Sequence, residues 1–359
     1  MRGERQSSHL SQLSQLSHLS HLFSPAFIDL HVHLREPGQT AKGDIAHETA
    51  AAKAGGFGTI VAMANTTPPT DTVERWLAMQ ERLAQSAQVQ VIQCACMTVG
   101  RAGQEPVDAA ALKAAGVIAL SDDGSTPQDT GVMREVAYRA AEAGLLLIDH
   151  CEDPPSSRRG EIDFAIRDLE LARETGARFH LQHLSAIEAV EALRDAQKDG
   201  LPVSGEATPH HLAFTAEAVT RWGTNAKMAP PLREERDRQA LLTAVADGTL
   251  AAIATDHAPH TAEEKARPFD EAPNGIIGLE AAFPVCYSLL VKSGLMTWEA
   301  FLDRLTTGPA KILGVDMPSA RVELDLNTPN TLSINNFHSK ATNCPWDGYP
   351  GWGKVLRVI

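Results

Sequence analysis

From Ala26 onward, short apolar or β-branched runs alternate with longer segments rich in Ala, Leu, Glu and Arg. Apolar runs bounded by turn residues, each followed by a helical period, predict β/α units around a parallel sheet. Eight strands can be counted, ending near His33, Ala64, Met97, Asp122, His150, His183, Thr208 and Asp256, with helices between them such as 71–87 and 186–199. Eight such units predict an α/β fold, a TIM-like (β/α)8 barrel over residues 27–314. An open doubly wound sheet is the competing architecture. It normally carries a glycine-rich phosphate loop after its first strand, a position that here reads His-Leu-Arg-Glu-Pro-Gly.

The two ends of the chain break this pattern. SQLSQLSHLSHL repeats Leu every third position, a period that drifts around a helix and builds no apolar stripe. Residues 1–26 are therefore expected to be a disordered low-complexity leader, with His9, His18 and His21 outside the functional set. Beyond Val315, Asn, Thr, Ser and Pro increase and no clear period survives, so 315–359 reads as a tail packed on the barrel.

Composition narrows the function classes. With 45 acidic against 32 basic residues the net charge is −13, and no Lys/Arg stripe could track a phosphate backbone, so nucleic acid is excluded as a partner. No apolar run approaches the roughly 20 residues that span a bilayer, and the first 26 residues lack a signal-peptide core. A soluble, cytoplasmic enzyme is expected. The five cysteines form no Cys-x-x-Cys and are too sparse for a disulfide framework, so they are expected to be reduced.

Barrel active sites lie at the C-terminal ends of strands. There the chain places His31 and His33, Asp122 and Asp123, His150, His183, and Asp256 with His257. In a strand, residues i and i+2 point the same way, so both imidazoles of His-x-His can meet one metal ion. Each residue alone has a structural explanation, as a hydrogen-bonded core histidine or a turn aspartate. Four of these histidines and two of the carboxylates converging on one rim are better explained together by a two-metal hydrolytic site, in which paired ions activate water and polarise a carbonyl. Such a pair needs a bridging ligand, and the strand-four end, ALSDDG, contains no lysine that could be carbamylated; an aspartate must bridge. Arg35 offers a two-pronged donor for a substrate carboxylate.

FIDLHVHLREPG, MANTTP, SDDG, DHCEDP, QHLS, TPHHL, KMAPPLR and ATDHAPH together resemble the successive motifs of type I dihydroorotase, a cyclic amidohydrolase, from about Phe27 to Gly314. The resemblance implies reversible, zinc-dependent hydrolysis of dihydroorotate to N-carbamoyl-L-aspartate in pyrimidine synthesis. It implies two Zn2+ ions, one held by His31, His33 and Asp256, the other by His150 and His183, with Asp123 bridging and Asp122 as the fallback. Asp256 would serve as proton acceptor and donor, and Arg35, Asn65 and His260 would contact the substrate carboxylate. His210 and His211 are expected outside the ligand set, and Asp29 as an outer acceptor for a ligand imidazole. The departures are a missing or incomplete accessory β-sandwich, of which the tail would be a remnant, about 20 residues absent near Asp153-Pro154-Pro155, and Ala229 where relatives often have asparagine. Competing functions are a non-catalytic subunit scaffolding aspartate transcarbamoylase, which some type I enzymes bind, and a hydantoinase or allantoinase. Exposed barrel surface where the sandwich should pack would favour a homo-oligomer.

Overall fold

The computed structural model describes residues 21–153 and 156–359. Its centre is a set of eight parallel strands in two sheets: β2 (Phe27–Val32), β3 (Phe57–Ala62) and β4 (Gln90–Gln93) in one, and β5 (Ala119–Leu120), β6 (Leu146–Asp149), β7 (Arg178–Leu181), β8 (Val203–Ala207) and β9 (Ala252–Ile253) in the other. Single bridges join the sheets at both edges, Ala95 to Leu120 and Val32 to His257. Each strand stops one to four residues before its expected end, leaving the chemically loaded residues at or just past the last ladder hydrogen bond. The strands β2 and β3 are buried throughout, as parallel strands covered on both faces must be.

Helices alternate with these strands and carry ordinary stop and start signals. Thr72 caps Val73–Ser86 by accepting from Arg75 N. Ser157 caps Arg158–Thr175, which Gly176 ends in the left-handed region. At the N-terminal end of the strands, Phe27 packs on Phe57 and stacks on Phe283 at 5.6 Å, and Tyr287, Trp298 and Phe301 extend this aromatic floor. Gly56, at φ +93°, turns the chain into β3 where a Cβ would lie 2.7 Å from the Phe27 ring.

The chain ends differ from expectation. Leu22–Pro25, inside the expected leader, form strand β1 at the edge of an antiparallel sheet with β10 (Arg321–Thr331) and β11 (Pro350–Val358). Four residues carry no readable alternation; their partner lies some 300 residues away, so only the tertiary fold creates this strand. A register shift between Asp325 and Pro329 absorbs a proline that could not donate to the ladder. His9 and His18, with the rest of residues 1–20, and the Pro154-Pro155 junction lie outside the described residues. Between β10 and β11 the tail returns to the C-terminal rim: buried Trp346 donates to Ile277 O at 2.7 Å, and Asn343 donates to Ala258 O and Gly275 O while accepting from His260 N. All five cysteines are buried and free. Among the described residues no helix is long and apolar enough to cross a membrane.

Candidate active site

His31 and His33 leave the end of β2 on one side, and their Nε2 atoms converge on two carboxylates. His31 Nε2 lies 3.0 Å from Asp123 Oδ1 and 3.3 Å from Asp256 Oδ1; His33 Nε2 lies 3.2 Å from Asp256 Oδ1 and 3.3 Å from Asp123 Oδ2. His150 Nδ1 approaches His183 Nε2 at 2.8 Å and Asp123 Oδ1 at 3.6 Å. Residues from β2 and from the ends of β5, β6, β7 and β9 thus meet around Asp123, all of them buried. His183 at φ +32°, Asp256 at φ +45° and Arg35 at φ +63° hold left-handed backbone. Such conformations cost about 1–3 kcal/mol each and persist where surrounding contacts over-determine them.

Outer partners fix which nitrogen each imidazole presents. Glu206 Oε1 is 3.1 Å from His31 Nδ1, Asn65 Oδ1 is 3.0 Å from His33 Nδ1, and Glu152 Oε2 is 3.0 Å from His150 Nε2. An acceptor at one ring nitrogen keeps the proton there and leaves the lone pair on the other, aimed at the centre. After His183 the chain is held by carboxylates in place of an ordinary cap. Glu161 accepts from Ser185 N and Ala186 N, and Asp237 from Ile187 N, at the start of the Ile187–Lys198 helix, whose N-cap Ala186 has no capping side chain.

The electrostatics are those of a cation site holding protons. Burial would raise Asp123, but His31 and His33 outweigh it and hold the carboxyl well below the usual range. Burial opposes charge on His31 too, yet Asp256 and Asp123 raise it well above an ordinary histidine. His150 is lifted to about 10 against its own burial by hydrogen bonds to Asp123 and Glu152. His183 is pushed well down by burial and by His150 and His31. Asp123 Oδ1 is buried against the His31 and His150 imidazoles, and the ligand atoms of His31, His33 and Asp256, and of His31, Asp123 and His183, lie within 4.8 Å of one another. Imidazoles and carboxylates converging in one buried cluster fit a bound metal cation. A third cluster, Asp149, Cys151 and Asp168, differs: Arg167 sits 2.7 Å from Asp168 and 3.2 Å from Asp149 and supplies the positive charge itself.

A cavity of about 480 Å³ opens onto this centre, lined among others by His33, Arg35, Arg101, Glu152, Asp256 and His260. Arg35 is buried, donates through Nε to Pro259 O at 3.1 Å and stands 3.3 Å from His260 Nε2. Asn65 and Ala229 also face the cavity. The Asn65 amide is already engaged, bonding His33 on one side and donating to Asp123 O and Oδ2 on the other. Its expected substrate contact is therefore joined by an orienting role.

Asp122 and Asp29 depart from the places expected of them, and Glu206 was not expected at all. The Asp122 carboxylate accepts from the backbone of Met97 and Thr98 and from the Thr98 hydroxyl, so it anchors the β4 loop and faces away from the centre. Asp29 binds no imidazole; it accepts from the backbone of His31 and Thr255 and from the Thr255 hydroxyl. His211 bonds Thr208 and Pro230 O, while both ring nitrogens of His210 lack partners among the described residues. Glu206 escaped the sequence reading. It also accepts from His180 and from His183 N, and these imidazole bonds hold its carboxyl at about 2 although burial alone would raise it. Its only signal is an acidic residue within the buried C-terminal part of a short strand.

Residues 20–198 match the dihydro-orotase-like family model. The chain is 41% identical to the dihydroorotases of Geobacillus thermodenitrificans and Bacillus caldolyticus, over 94% of its own length and 86% of theirs. It is 39% identical to that of Shouchella clausii over 91% and 83%. The first of these alignments spans 366 residues, more than 94% of this 359-residue chain supplies, so the relatives carry residues within it that this chain lacks. In fold the chain resembles an L-hydantoinase (dihydropyrimidinase) from Arthrobacter aurescens, with a TM-score of 0.86 at 23% identity over 94% of this chain and 84% of that one. It also resembles a dihydropyrimidinase from Brevibacillus agri, with a TM-score of 0.85 at 22% identity over 95% and 84%.

Proposed function

The chain belongs to the dihydroorotase family, and we propose that it catalyses the reversible hydrolysis of dihydroorotate to N-carbamoyl-L-aspartate, the ring chemistry of pyrimidine synthesis, in the cytoplasm. The observation that carries this reading is the convergence of four imidazoles with Asp123 and Asp256 beside a cavity holding a buried arginine. We assign His31, His33 and Asp256 to one Zn2+, His150 and His183 to a second, and Asp123 to the bridge between them, at the C-terminal rim of a (β/α)8 barrel formed by 27–314.

When bound, zinc supplies Lewis-acid polarisation of the ring amide carbonyl and lowers the pKa of water. Asp256 accepts a proton through its carboxylate as the nucleophile forms and returns it to the departing ring nitrogen, base and then acid in one cycle. Its φ of +45° and its contacts with His31 and His33 set that carboxylate in the buried wall of the cavity. Arg35, locked by Pro259 O, receives the substrate carboxylate with His260 alongside, and its planar fork fixes ring orientation where an ammonium would give only charge.

Arg35 also favours this substrate over the uncharged hydantoin ring. Apolar side chains exposed on β1 and β11, Phe23, Trp352 and Leu356, support self-association or docking of a partner such as aspartate transcarbamoylase at the three-stranded sheet. The deciding assay is dihydroorotate hydrolysis by purified, monodisperse protein supplied with zinc, with Asp256→Ala as control. Turnover that falls about 10²–10⁴-fold in the variant is expected, and a folded wild-type protein without turnover would sink the reading.

A further inference from the structure

A line of three side chains ends on the guanidinium that faces the cavity. Arg35 Nη2 stands 3.3 Å from His260 Nε2, His260 Nδ1 stands 3.4 Å from Glu264 Oε2, and Glu264 Oε1 pairs with Lys42 Nζ at 2.9 Å. Arginine has only N–H groups to offer, so His260 Nε2 is the acceptor of the first contact. The ring proton then belongs on Nδ1, where Glu264 accepts it. Burial and the positive charges of Arg35 and Lys42 push the His260 imidazole down to about 3, in keeping with a neutral ring that carries one proton. The pose is held from the backbone outward. Asn343 Oδ1 accepts from His260 N at 2.9 Å, and a Cβ at Gly275 would lie 2.6 Å from His260 Cδ2, so the bare glycine leaves room for the ring. Glu264 is fixed as well, because its Oε2 accepts from Thr261 N at 3.1 Å in the capping box of the Ala262–Lys265 helix. It is not among the described residues that line the cavity.

We propose that Glu264 is a positioning residue for substrate binding: through His260 it orients the Arg35 guanidinium toward the substrate carboxylate. This rests on the dihydroorotase reading, which gives that carboxylate to Arg35. Charge alone predicts the opposite effect, since a carboxylate near an anion site repels an anionic substrate and its neutralisation should tighten binding. A carboxylate that holds the acceptor aligning Arg35 does the reverse. Its neutralisation loosens the guanidinium and weakens binding.

Glu264→Gln separates the two, because glutamine also serves in a capping box and the substitution removes only the charge. Values of kcat and KM for dihydroorotate are measured in excess zinc for the wild-type protein, Glu264→Gln, His260→Phe and the double variant, with zinc content determined for each. Glu264→Gln is expected to raise KM about three- to tenfold, the weakening of one charge-assisted hydrogen bond, with kcat and zinc content within about twofold of wild type. In the His260→Phe background the same substitution is expected to change KM by less than about twofold, because the group through which it acts is gone. A KM that falls or stays level in Glu264→Gln, or a loss that appears in kcat, would overturn the inference while wild-type turnover keeps the enzyme reading intact. So would an equal change in both backgrounds, which would place the effect in the 261–275 loop or in bare charge. The direction of the KM change is read on Glu264→Gln alone, so a His260→Phe protein that fails to fold does not remove the test. A wild-type protein without turnover would remove the dihydroorotase reading, and this inference with it.

Discussion

Phe27 and His31 sit four residues apart on one strand and serve opposite ends of the molecule. The Phe27 end is apolar and ring-packed, with Phe57, Phe283, Tyr287, Trp298 and Phe301 fully or almost fully buried. The His31 end is buried as thoroughly but filled with charge: Asp123, Asp256, Glu206 and four imidazoles, with left-handed backbone at Arg35, His183 and Asp256. Burial alone therefore does not distinguish them; what differs is whether the buried groups satisfy one another. The floor is complete in itself, whereas at the rim Glu152 Oε1 has no hydrogen-bond partner among the described residues. Stability is concentrated where the contacts close, and chemistry where they stay open to a ligand.

The comparison can be broken most severely at the floor. Phe27→Ala should cost about 3–5 kcal/mol of unfolding free energy, read by denaturant titration, while turnover per folded molecule stays unchanged. Asp256→Ala should do the reverse, lowering turnover about 10²–10⁴-fold in a protein whose circular dichroism remains native. A loss of activity in Phe27→Ala beyond the loss of folded protein would show that the two ends are coupled.

A change in the layer behind the ligands sharpens the contrast. Glu206→Gln keeps shape but removes the charge that holds His31, and zinc affinity by chelator competition should fall about 10–100-fold. An unchanged affinity would reduce Glu206 to a packing residue. Acidification should act on the same equilibrium. His150, raised to about 10 in the metal-free protein, must shed its proton to bind a cation, so affinity is full above that pH and declines below it, by up to about tenfold per unit for one displaced proton. Zinc binding that strengthens as pH falls would contradict the assignment of His150. The smallest effect is expected at the cavity edge. Ala229→Asn adds one polar contact, worth about 0.5–1.5 kcal/mol, and should lower KM for dihydroorotate several-fold with kcat unchanged.

Much of this molecule was legible from local pattern. His31 and His33 declare themselves by period two, the eight strand ends by apolar runs, and Asp123, His150, His183 and Asp256 by falling at those ends, because strand direction and residue spacing are properties of a few consecutive residues. The 71–87 and 186–199 helices were likewise readable and appear as Val73–Ser86 and Ile187–Lys198. The relation between distant residues was not local. That Glu206 backs His31 from 175 positions away, that Asn65 ties His33 to Asp123, that Asp122 turns aside where Asp123 turns inward, and that Leu22–Pro25 become a strand against Arg321–Thr331 all depend on strand order and register. Local spacing settles which side chains can do chemistry and at which end of which element they stand. Which buried polar atoms meet is settled by the fold, because a hydrogen bond is made or lost by geometry to within an ångström or so, set by the packing of the whole chain.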